Sequence, residues 1–113
     1  MKLNHLNLTV SDVPATKAFL EKYFGLSSQW VSNEEMAFLR DDNGIVLSLM
    51  RGDAVKYPGM FHVGFIQESR KRVNEINQRL AQNGFKVKPP REFHGSWTFY
   101  LQAPGGFTVE VLC

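Results

Sequence analysis

Two short stretches decide the fold: HLNLTV at residues 5–10 and HVGFI at residues 62–66. In both, apolar residues alternate with other residues, a period of two that is typical of a half-buried β-strand. Each stretch begins with a histidine, and the two histidines lie 57 residues apart. Each is followed by a segment with helical spacing and then by strands separated by turns. The sequence therefore predicts two copies of one module.

The segments after the two stretches follow the same plan. In the first half Ser11 or Asp12 can cap a helix, and Gly25 is placed to end it; in the second half Glu68 or Ser69 and Gly84 have these roles. The predicted strands that follow are residues 27–31, 36–40 and 45–50 in the first half, and 85–88, 96–101 and 107–112 in the second. The turns DDNG at 41–44 and APGG at 103–106 precede the last strand of each half.

The predicted fold class is α+β, with two tandem β-α-β-β-β modules that form a curved, open, barrel-like mixed sheet with the helices outside. One module alone leaves a sheet face and an edge uncovered, so it needs a second module as a partner. We expect a single domain over residues 1–113, with module 1 at about 1–52, a linker at about 51–60 and module 2 at about 61–113.

Composition narrows the function classes. The chain has 13 basic and 11 acidic residues, a net charge of +2, and no basic stripe interleaved with aromatic residues, so nucleic acid is not an expected partner. No segment approaches the roughly 20 apolar residues of a membrane span, and no membrane partner is expected. The N-terminus alternates polar with apolar residues, unlike a signal peptide, and Cys113 is the single cysteine. We expect a cytoplasmic protein that binds a small molecule.

Strand parity places three candidate metal ligands on one side of the strands. The apolar positions of each strand face the helices, so His5, His62 and Glu110 lie on the opposite face. A buried carboxylate without a partner is unfavourable, and a divalent cation removes that cost. Two histidines and one carboxylate form the facial arrangement associated with Fe(II). The sequence predicts a divalent metal site, with iron, manganese, nickel or zinc as the ion.

The same parity predicts a cavity lining. Asn7 and Thr108 share the face of the candidate ligands, and the central strands add Met36, Phe38, Arg40, Thr98 and Tyr100. Met36 and Phe38 are suited to an apolar or aromatic substrate, and Arg40 to an anionic group; core packing is the alternative for the first two. Trp30 and Trp97 are interpreted as core or interface residues.

Two longer motifs resemble a known family. HLNLTVSDVPATKAFLEKYFGL at residues 5–26 resembles the opening of the vicinal oxygen chelate superfamily, and FYLQAPGGFTVEVL at residues 99–112 resembles its closing signature. The resemblance covers nearly the whole chain. Members include glyoxalase I, extradiol dioxygenases, fosfomycin-modifying transferases and metal-free bleomycin-binding proteins. Ala103 stands where the family has aspartate, which alters only the turn.

The resemblance assigns roles residue by residue. His5 and His62 match the first-strand ligands of the family, and Glu110 matches the last-strand carboxylate. Ser48 stands where some branches have a fourth ligand, which implies a three-ligand site here. Tyr100 matches a tyrosine that lines the cavity, and His94 could replace an extra active-site histidine of the dioxygenases. Asn7 replaces a threonine of the fosfomycin branch, which weighs against that activity.

The function that the resemblance implies is that of a metal-dependent enzyme: a lyase or isomerase, a dioxygenase or a transferase. A small substrate would bind the metal through vicinal oxygens, and Tyr100 and His94 are the candidate catalytic residues. Asn7, Met36, Phe38, Arg40, Ser48, Thr98 and Thr108 are the candidate substrate-binding residues. The family also implies a homodimer with sites shared between chains. The alternative is a metal-free, bleomycin-resistance-like binding protein for a small molecule.

Overall fold

The computed structural model describes all 113 residues and confirms the repeated β-α-β-β-β plan. The elements of the first module are β1 (His5–Val10), α1 (Val13–Phe24), β2 (Ser27–Gln29), β3 (Met36–Arg40) and β4 (Val46–Arg51). Those of the second are β5 (His62–Ile66), α2 (Arg70–Gln82), β6 (Arg91–Phe93), β7 (Ser96–Gln102) and β8 (Thr108–Leu112). The α+β class is therefore confirmed.

The strands form two four-stranded mixed sheets, one for each module. The strand orders, β1-β4-β3-β2 and β5-β8-β7-β6, are the same in the two modules. In each sheet the first and last strands of the module pair in parallel, and the remaining pairs are antiparallel. Hydrogen bonding thus divides the strands between two sheets, which are not closed into a barrel and are compatible with the predicted curved, open arrangement.

The chain divides into two compact units. The first unit contains residues 1–57 together with residues 103–106, and the second contains residues 58–102 and 107–113. The turn at 103–106 belongs to the first unit because its backbone bonds there. Gly105 O accepts a hydrogen bond from Ser11 N at 3.1 Å, and Pro104 O accepts one from Thr16 Oγ1 at 2.9 Å.

For each helix, the sequence offered two candidate N-cap residues, and the second of the two is the N-cap in the structure. Asp12 caps α1 by accepting a hydrogen bond from Ala15 N at 3.0 Å, and Ser69 caps α2 by accepting one from Arg72 N at 3.2 Å. Gly25 follows α1 in the left-handed conformation, with φ 68°. Neither helix has the length and apolar content needed to cross a membrane.

Each helix buries an apolar stripe against its own sheet. Helix α1 contributes Val13, Thr16, Phe19, Leu20 and Tyr23 and contacts β3 and β4. Helix α2 contributes Val73, Ile76, Asn77 and Leu80 and contacts β7 and β8. Burial of each large apolar side chain stabilises the fold by about 1.5–3 kcal/mol. The helix-facing parity is confirmed for Leu8, Val109 and Val111, which are buried, and the opposite face is the one that carries the predicted site.

One predicted strand was wrong. Residues 85–88 form no strand, and the edge strand of the second sheet is β6 at Arg91–Phe93. Pro89 and Pro90 follow directly, and proline lacks the N–H that a sheet ladder requires. The Lys88 carbonyl accepts a hydrogen bond from Asn77 Nδ2 on α2 at 2.8 Å. A side chain of α2 therefore satisfies a backbone group that the predicted strand would have paired.

Candidate functional site

In the second unit, His62 and Glu110 lie side by side. His62 is the first residue of β5, and Glu110 is the third residue of β8, the parallel neighbour of β5. His62 Nε2 is 3.3 Å from Glu110 Oε2, and the two side chains are 42% and 13% exposed. The structure thus brings together two of the three predicted ligands within one sheet, with the imidazole open to solvent and the carboxylate mostly covered.

A backbone hydrogen bond orients the His62 ring. Its Nδ1 lies 2.9 Å from the carbonyl oxygen of Met60, which can only accept, so Nδ1 carries a proton. Metal-binding histidines in proteins commonly donate one ring N–H in this way, which fixes the ring and leaves the other nitrogen for the metal. Here the remaining nitrogen, Nε2, is the one that faces Glu110.

Glu110 has protein partners at both oxygens. Its Oε1 accepts a hydrogen bond from Thr98 Oγ1 at 2.9 Å, and its Oε2 faces His62 Nε2. Thr98 is almost fully buried, and Val111 O is a second acceptor for its hydroxyl at 3.0 Å. The carboxylate therefore has partners that the sequence argument did not include. Its partners lie on strands whose pairing the sequence did not specify.

Tyr100 is the third side chain of this cluster. It pairs with Glu110 across β7 and β8, and its ring meets the His62 ring edge to face, with centroids 5.6 Å apart. Burial is the largest cause of a raised pKa for the Tyr100 phenol, and the hydrogen bond and charge of Glu110 raise it further. Arg91 partly opposes this shift. Tyr100 is therefore a neutral hydrogen-bond donor at physiological pH.

Space remains beside the carboxylate because Gly64 pairs with Glu110 and has no side chain. A Cβ placed on Gly64 would lie 3.8 Å from Glu110 Oε2, in ordinary van der Waals contact. Donor atoms bound to one divalent ion at bond lengths of about 2.1 Å lie roughly 3 Å apart. The 3.3 Å between His62 Nε2 and Glu110 Oε2 and the donor types fit such an ion.

In the first unit, the equivalent positions have different chemistry. Ser48 occupies the position of Glu110 and Phe38 that of Tyr100, as the matching strand registers show. Ser48 is buried and its Oγ donates to Asn7 Oδ1 at 2.8 Å. His5 is exposed at the start of β1, with Nδ1 2.9 Å from Asn4 Oδ1. This ring, too, makes its local contact through Nδ1 and leaves Nε2 without a local partner.

Each unit has a cavity on this face. The cavity of the first unit has a volume of about 340 Å³ and is lined by Asn4, His5, Asn7, Trp30, Phe38, Val46, Ser48 and Met50. The cavity of the second has a volume of about 390 Å³, and its lining includes Thr98, Tyr100, Gln102 and Thr108 with Lys86, Lys88 and Arg91. Five of the seven predicted substrate-binding residues therefore line a cavity. Met36 and Arg40 are exposed on β3 and line neither cavity.

Sequence reasoning missed Trp30 and the three cations. Trp30, interpreted as a core or interface residue, is 67% exposed. Lys86 and Lys88 were assigned to a strand that does not form. Trp97 is half-buried, and its Nε1 donates to Asn74 Oδ1 at 2.9 Å. The signal for the lysines was the Pro89-Pro90 pair, which argues against a strand; no signal marked Trp30.

His94 lies outside the strand parity that suggested it. Strand β7 begins at Ser96, and His94 forms the β6–β7 turn with Gly95, both with positive φ (52° and 78°). The side chain is exposed, and its ring lies against Phe93 with centroids 3.8 Å apart. The placement gives no support to a catalytic role for His94, which stays a prediction.

The protein alone contains no group of three or more His, Cys, Asp or Glu side chains arranged to hold a metal ion. Of the three predicted ligands, the second unit contains two, His62 and Glu110, and these two are in contact. The complete three-ligand set of His5, His62 and Glu110 therefore stays a prediction.

Comparison with known proteins identifies the class of protein that this fold and site define. The model of the Glyoxalase/Bleomycin resistance protein/Dioxygenase superfamily matches residues 2–111. The chain belongs to this superfamily, as the resemblance of its two terminal motifs implied.

Individual relatives agree with that assignment. A solved structure described as a possible glyoxalase from Bacillus cereus is 54% identical, with a TM-score of 0.95 over 100% of this chain and 99% of that one. The fosfomycin resistance protein FosX of Listeria monocytogenes is 27% identical over 79% of this chain and 70% of its own length. One FosX structure contains Mn(II) and a dihydroxypropylphosphonic acid. A trivalent organoarsenical cleaving enzyme of a Bacillus species is 31% identical over 74% of this chain and 52% of its own length.

Proposed function

We propose that the protein is a metal-dependent enzyme that binds a small substrate through two neighbouring oxygen atoms at a divalent metal site. The proposed ligands are His62, Glu110 and His5, with His5 supplied by the same chain or by a second copy. The observation that carries the proposal is the 3.3 Å approach of His62 Nε2 to Glu110 Oε2, with the His62 ring already held through Nδ1.

The electrostatics of this pair support a cation between the two groups. With Nδ1 protonated, a neutral His62 directs the lone pair of Nε2 at a carboxylate oxygen, which is repulsive. The contact is favourable when Nε2 also binds a proton, or when Nε2 and Oε2 bind the same cation. A bound divalent ion would supply Lewis acidity to the substrate oxygens. The FosX relative, which has been crystallised with Mn(II), is consistent with manganese as one such ion.

The protein groups around the pair would orient the substrate and donate a hydrogen bond to it. Thr98 holds Glu110 through Oε1, so Oε2 keeps a fixed direction. Tyr100 keeps its proton because its pKa is raised, and its hydroxyl can donate a hydrogen bond to a substrate oxygen on which negative charge develops. Gly64 leaves room for that oxygen beside Glu110. The finer reaction, whether isomerisation, ring cleavage by O2 or addition of a thiol, depends on the substrate.

Metal titration tests the proposal. Protein stripped of metal is titrated with Mn(II), free ion is followed by electron paramagnetic resonance, and bound metal is counted by elemental analysis. We expect about one ion per chain, with at least 100-fold weaker binding in Glu110→Gln. Glu75→Gln is the matched control, because Glu75 is an exposed carboxylate on α2 that pairs only with Arg72. Less than a tenth of an equivalent of Mn(II), Fe(II), Ni(II) or Zn(II) would refute the metal site.

Mixing two variants, each of which lacks one proposed metal ligand, tests whether the metal sites are shared between the chains of a homodimer. His5→Ala and Glu110→Gln each remove one ligand. If each site takes His5 from one chain and Glu110 from the other, a mixed dimer contains one intact site, and about a quarter of the sites in an equal mixture bind metal after exchange. If each site lies within one chain, mixing restores none.

A specific observation also favours the metal-free binding protein as the second candidate. Thr98 and Tyr100 hydrogen-bond to Glu110 without any ion, and no buried polar side-chain atom of the protein is left without a partner. A binding protein would therefore not require metal for stability. Thermal unfolding separates the two: a midpoint that rises with Mn(II) and falls with EDTA supports the enzyme, and a midpoint indifferent to both supports the binder.

A further inference from the structure

The cavity of the first unit lacks charged side chains of the Lys, Arg, Asp and Glu types. Its walls combine the apolar side chains of Trp30, Phe38, Val46 and Met50 with the neutral polar groups of Asn4, Asn7 and Ser48, and with His5 at one end. The volume of about 340 Å³ is at the lower end of the range of small-molecule pockets and is too small for a folded peptide. The composition favours a compact, uncharged ligand.

Trp30 has a conformation that packing does not explain. Its backbone is in the left-handed region, with φ 57°, which is an outlier for a bulky side chain. Such strain is usually retained where surrounding structure and function require it. Trp30 is 67% exposed, so core burial does not offset the strain. The ring meets the Phe38 ring edge to face, with centroids 5.4 Å apart, and forms one wall of the cavity.

We propose that Trp30, Phe38 and Met50 form a subsite that binds an uncharged aromatic ring of the substrate. The inference rests on the proposed function, because His5 is both a proposed metal ligand and a lining residue of the cavity. Aromatic rings pack favourably against the faces and edges of Trp and Phe, and a methionine thioether adds a favourable sulfur–aromatic contact. The substrate class is therefore a small neutral aromatic compound.

The polar end of the cavity specifies a substituent on that ring. Ser48 Oγ donates its single hydrogen to Asn7 Oδ1, so the Asn7 amide oxygen already has a donor. The Nδ2 group of Asn7 still has two hydrogens to donate. A ring substituent that accepts a hydrogen bond, such as a hydroxyl, ether or carbonyl oxygen, suits this end. An ammonium substituent does not, because it cannot accept.

The test uses metal-free protein in EDTA, so its result does not depend on the metal site. Protein labelled with 15N and with 13C in the methionine methyl groups is titrated with benzyl alcohol and, separately, with cyclohexylmethanol, which has a saturated ring of the same size. We expect the Met50 methyl and Trp30 indole signals to shift saturably with benzyl alcohol, with a Kd of about 1–10 mM. Met60, which is exposed and outside the cavity, should not shift. Cyclohexylmethanol should bind at least fivefold more weakly.

Two variants separate binding from folding. Trp30→Gly removes the ring and relieves the left-handed strain, so the melting temperature should hold or rise while the benzyl alcohol Kd, read from Met50, increases at least tenfold. Val31→Ala is the control, because Val31 is 85% exposed beside Trp30 and does not line the cavity. Unchanged affinity in Trp30→Gly would overturn the proposal. So would signals that move with protein concentration and not with benzyl alcohol, which would indicate self-association.

Discussion

The two sheets of this protein have the same strand order but opposite chemistry at equivalent positions. In the second sheet the histidine that begins the module, His62, faces the carboxylate of Glu110 and the ring of Tyr100. In the first sheet the equivalent positions are Ser48 and Phe38, beside an apolar cavity. The difference shows that two copies of one backbone can both begin with a histidine while one copy has a charged neighbour beside it and the other an apolar cavity.

The partners of Glu110 and Ser48 explain why the two positions can differ. A buried carboxylate is unfavourable unless several donors satisfy it. Glu110 has Thr98, Tyr100 and His62 around it. A buried serine needs only one acceptor, and Asn7 provides it in the first sheet. Glu110 therefore requires polar side chains around it, whereas Ser48 can lie beside the aromatic ring of Phe38.

The largest expected contrast concerns the two histidines. His62→Ala and His5→Ala should each weaken Mn(II) binding at least 100-fold, because each removes a proposed ligand. Only His62→Ala should also destabilise the metal-free protein, by about 0.5–1 kcal/mol, because the His62 ring packs edge to face against the Tyr100 ring. His5 contacts only Asn4 by side-chain hydrogen bond. Urea unfolding in EDTA measures the second effect, and equal stability losses would contradict the asymmetry between the sheets.

A smaller effect is expected from the residue that holds the carboxylate. Thr98→Val keeps the shape but removes the hydrogen bond to Glu110, so metal affinity should fall about tenfold and unfolding free energy by about 1–3 kcal/mol. Met36 is the equivalent position in the first sheet. Met36→Leu should leave metal affinity unchanged in the same titration. If Thr98→Val binds Mn(II) with the affinity of the wild type, the hydrogen bond from Thr98 does not position Glu110 for metal binding.

The smallest expected effect is a pH dependence that only the second sheet can have. Burial and Glu110 raise the pKa of Tyr100, so the folded state holds this proton more tightly than the unfolded state. The stabilisation is present below the unfolded pKa of about 10 and is lost as pH rises through the folded pKa. Urea unfolding from about pH 9 to 11 should show a steeper loss of stability in the wild type than in Tyr100→Phe. Parallel curves would show that Tyr100 does not contribute.

Much of the fold was predictable because local chemistry determines it. The alternating strands, the caps at Asp12 and Ser69, and the turn at 103–106 follow from residue types at fixed spacings. The same parity placed His62 and Glu110 on one face, and the structure brings them together.

The rest depends on tertiary contacts that a single sequence does not specify. The pairing of β7 with β8 brings Thr98 to Glu110 and so supplies the partner that the sequence argument lacked. The left-handed backbone of Trp30 and of His94 places one ring in a cavity wall and the other in an exposed turn. Tryptophan is a bulky type that rarely adopts this conformation, so no rule of sequence marks Trp30, whereas histidine before glycine is among the types in which it is more frequent.

The central claim, that His5 and His62 bind one metal ion with Glu110, is tested most directly by nuclear magnetic resonance of the histidine ring nitrogens. The chain has only three histidines, so long-range 1H–15N spectra can resolve every ring. On addition of one equivalent of Zn(II), we expect the Nε2 signals of His5 and His62 to shift together while those of His94 stay unchanged. Unmoved His5 and His62 signals, or a shift confined to His94, would contradict the account.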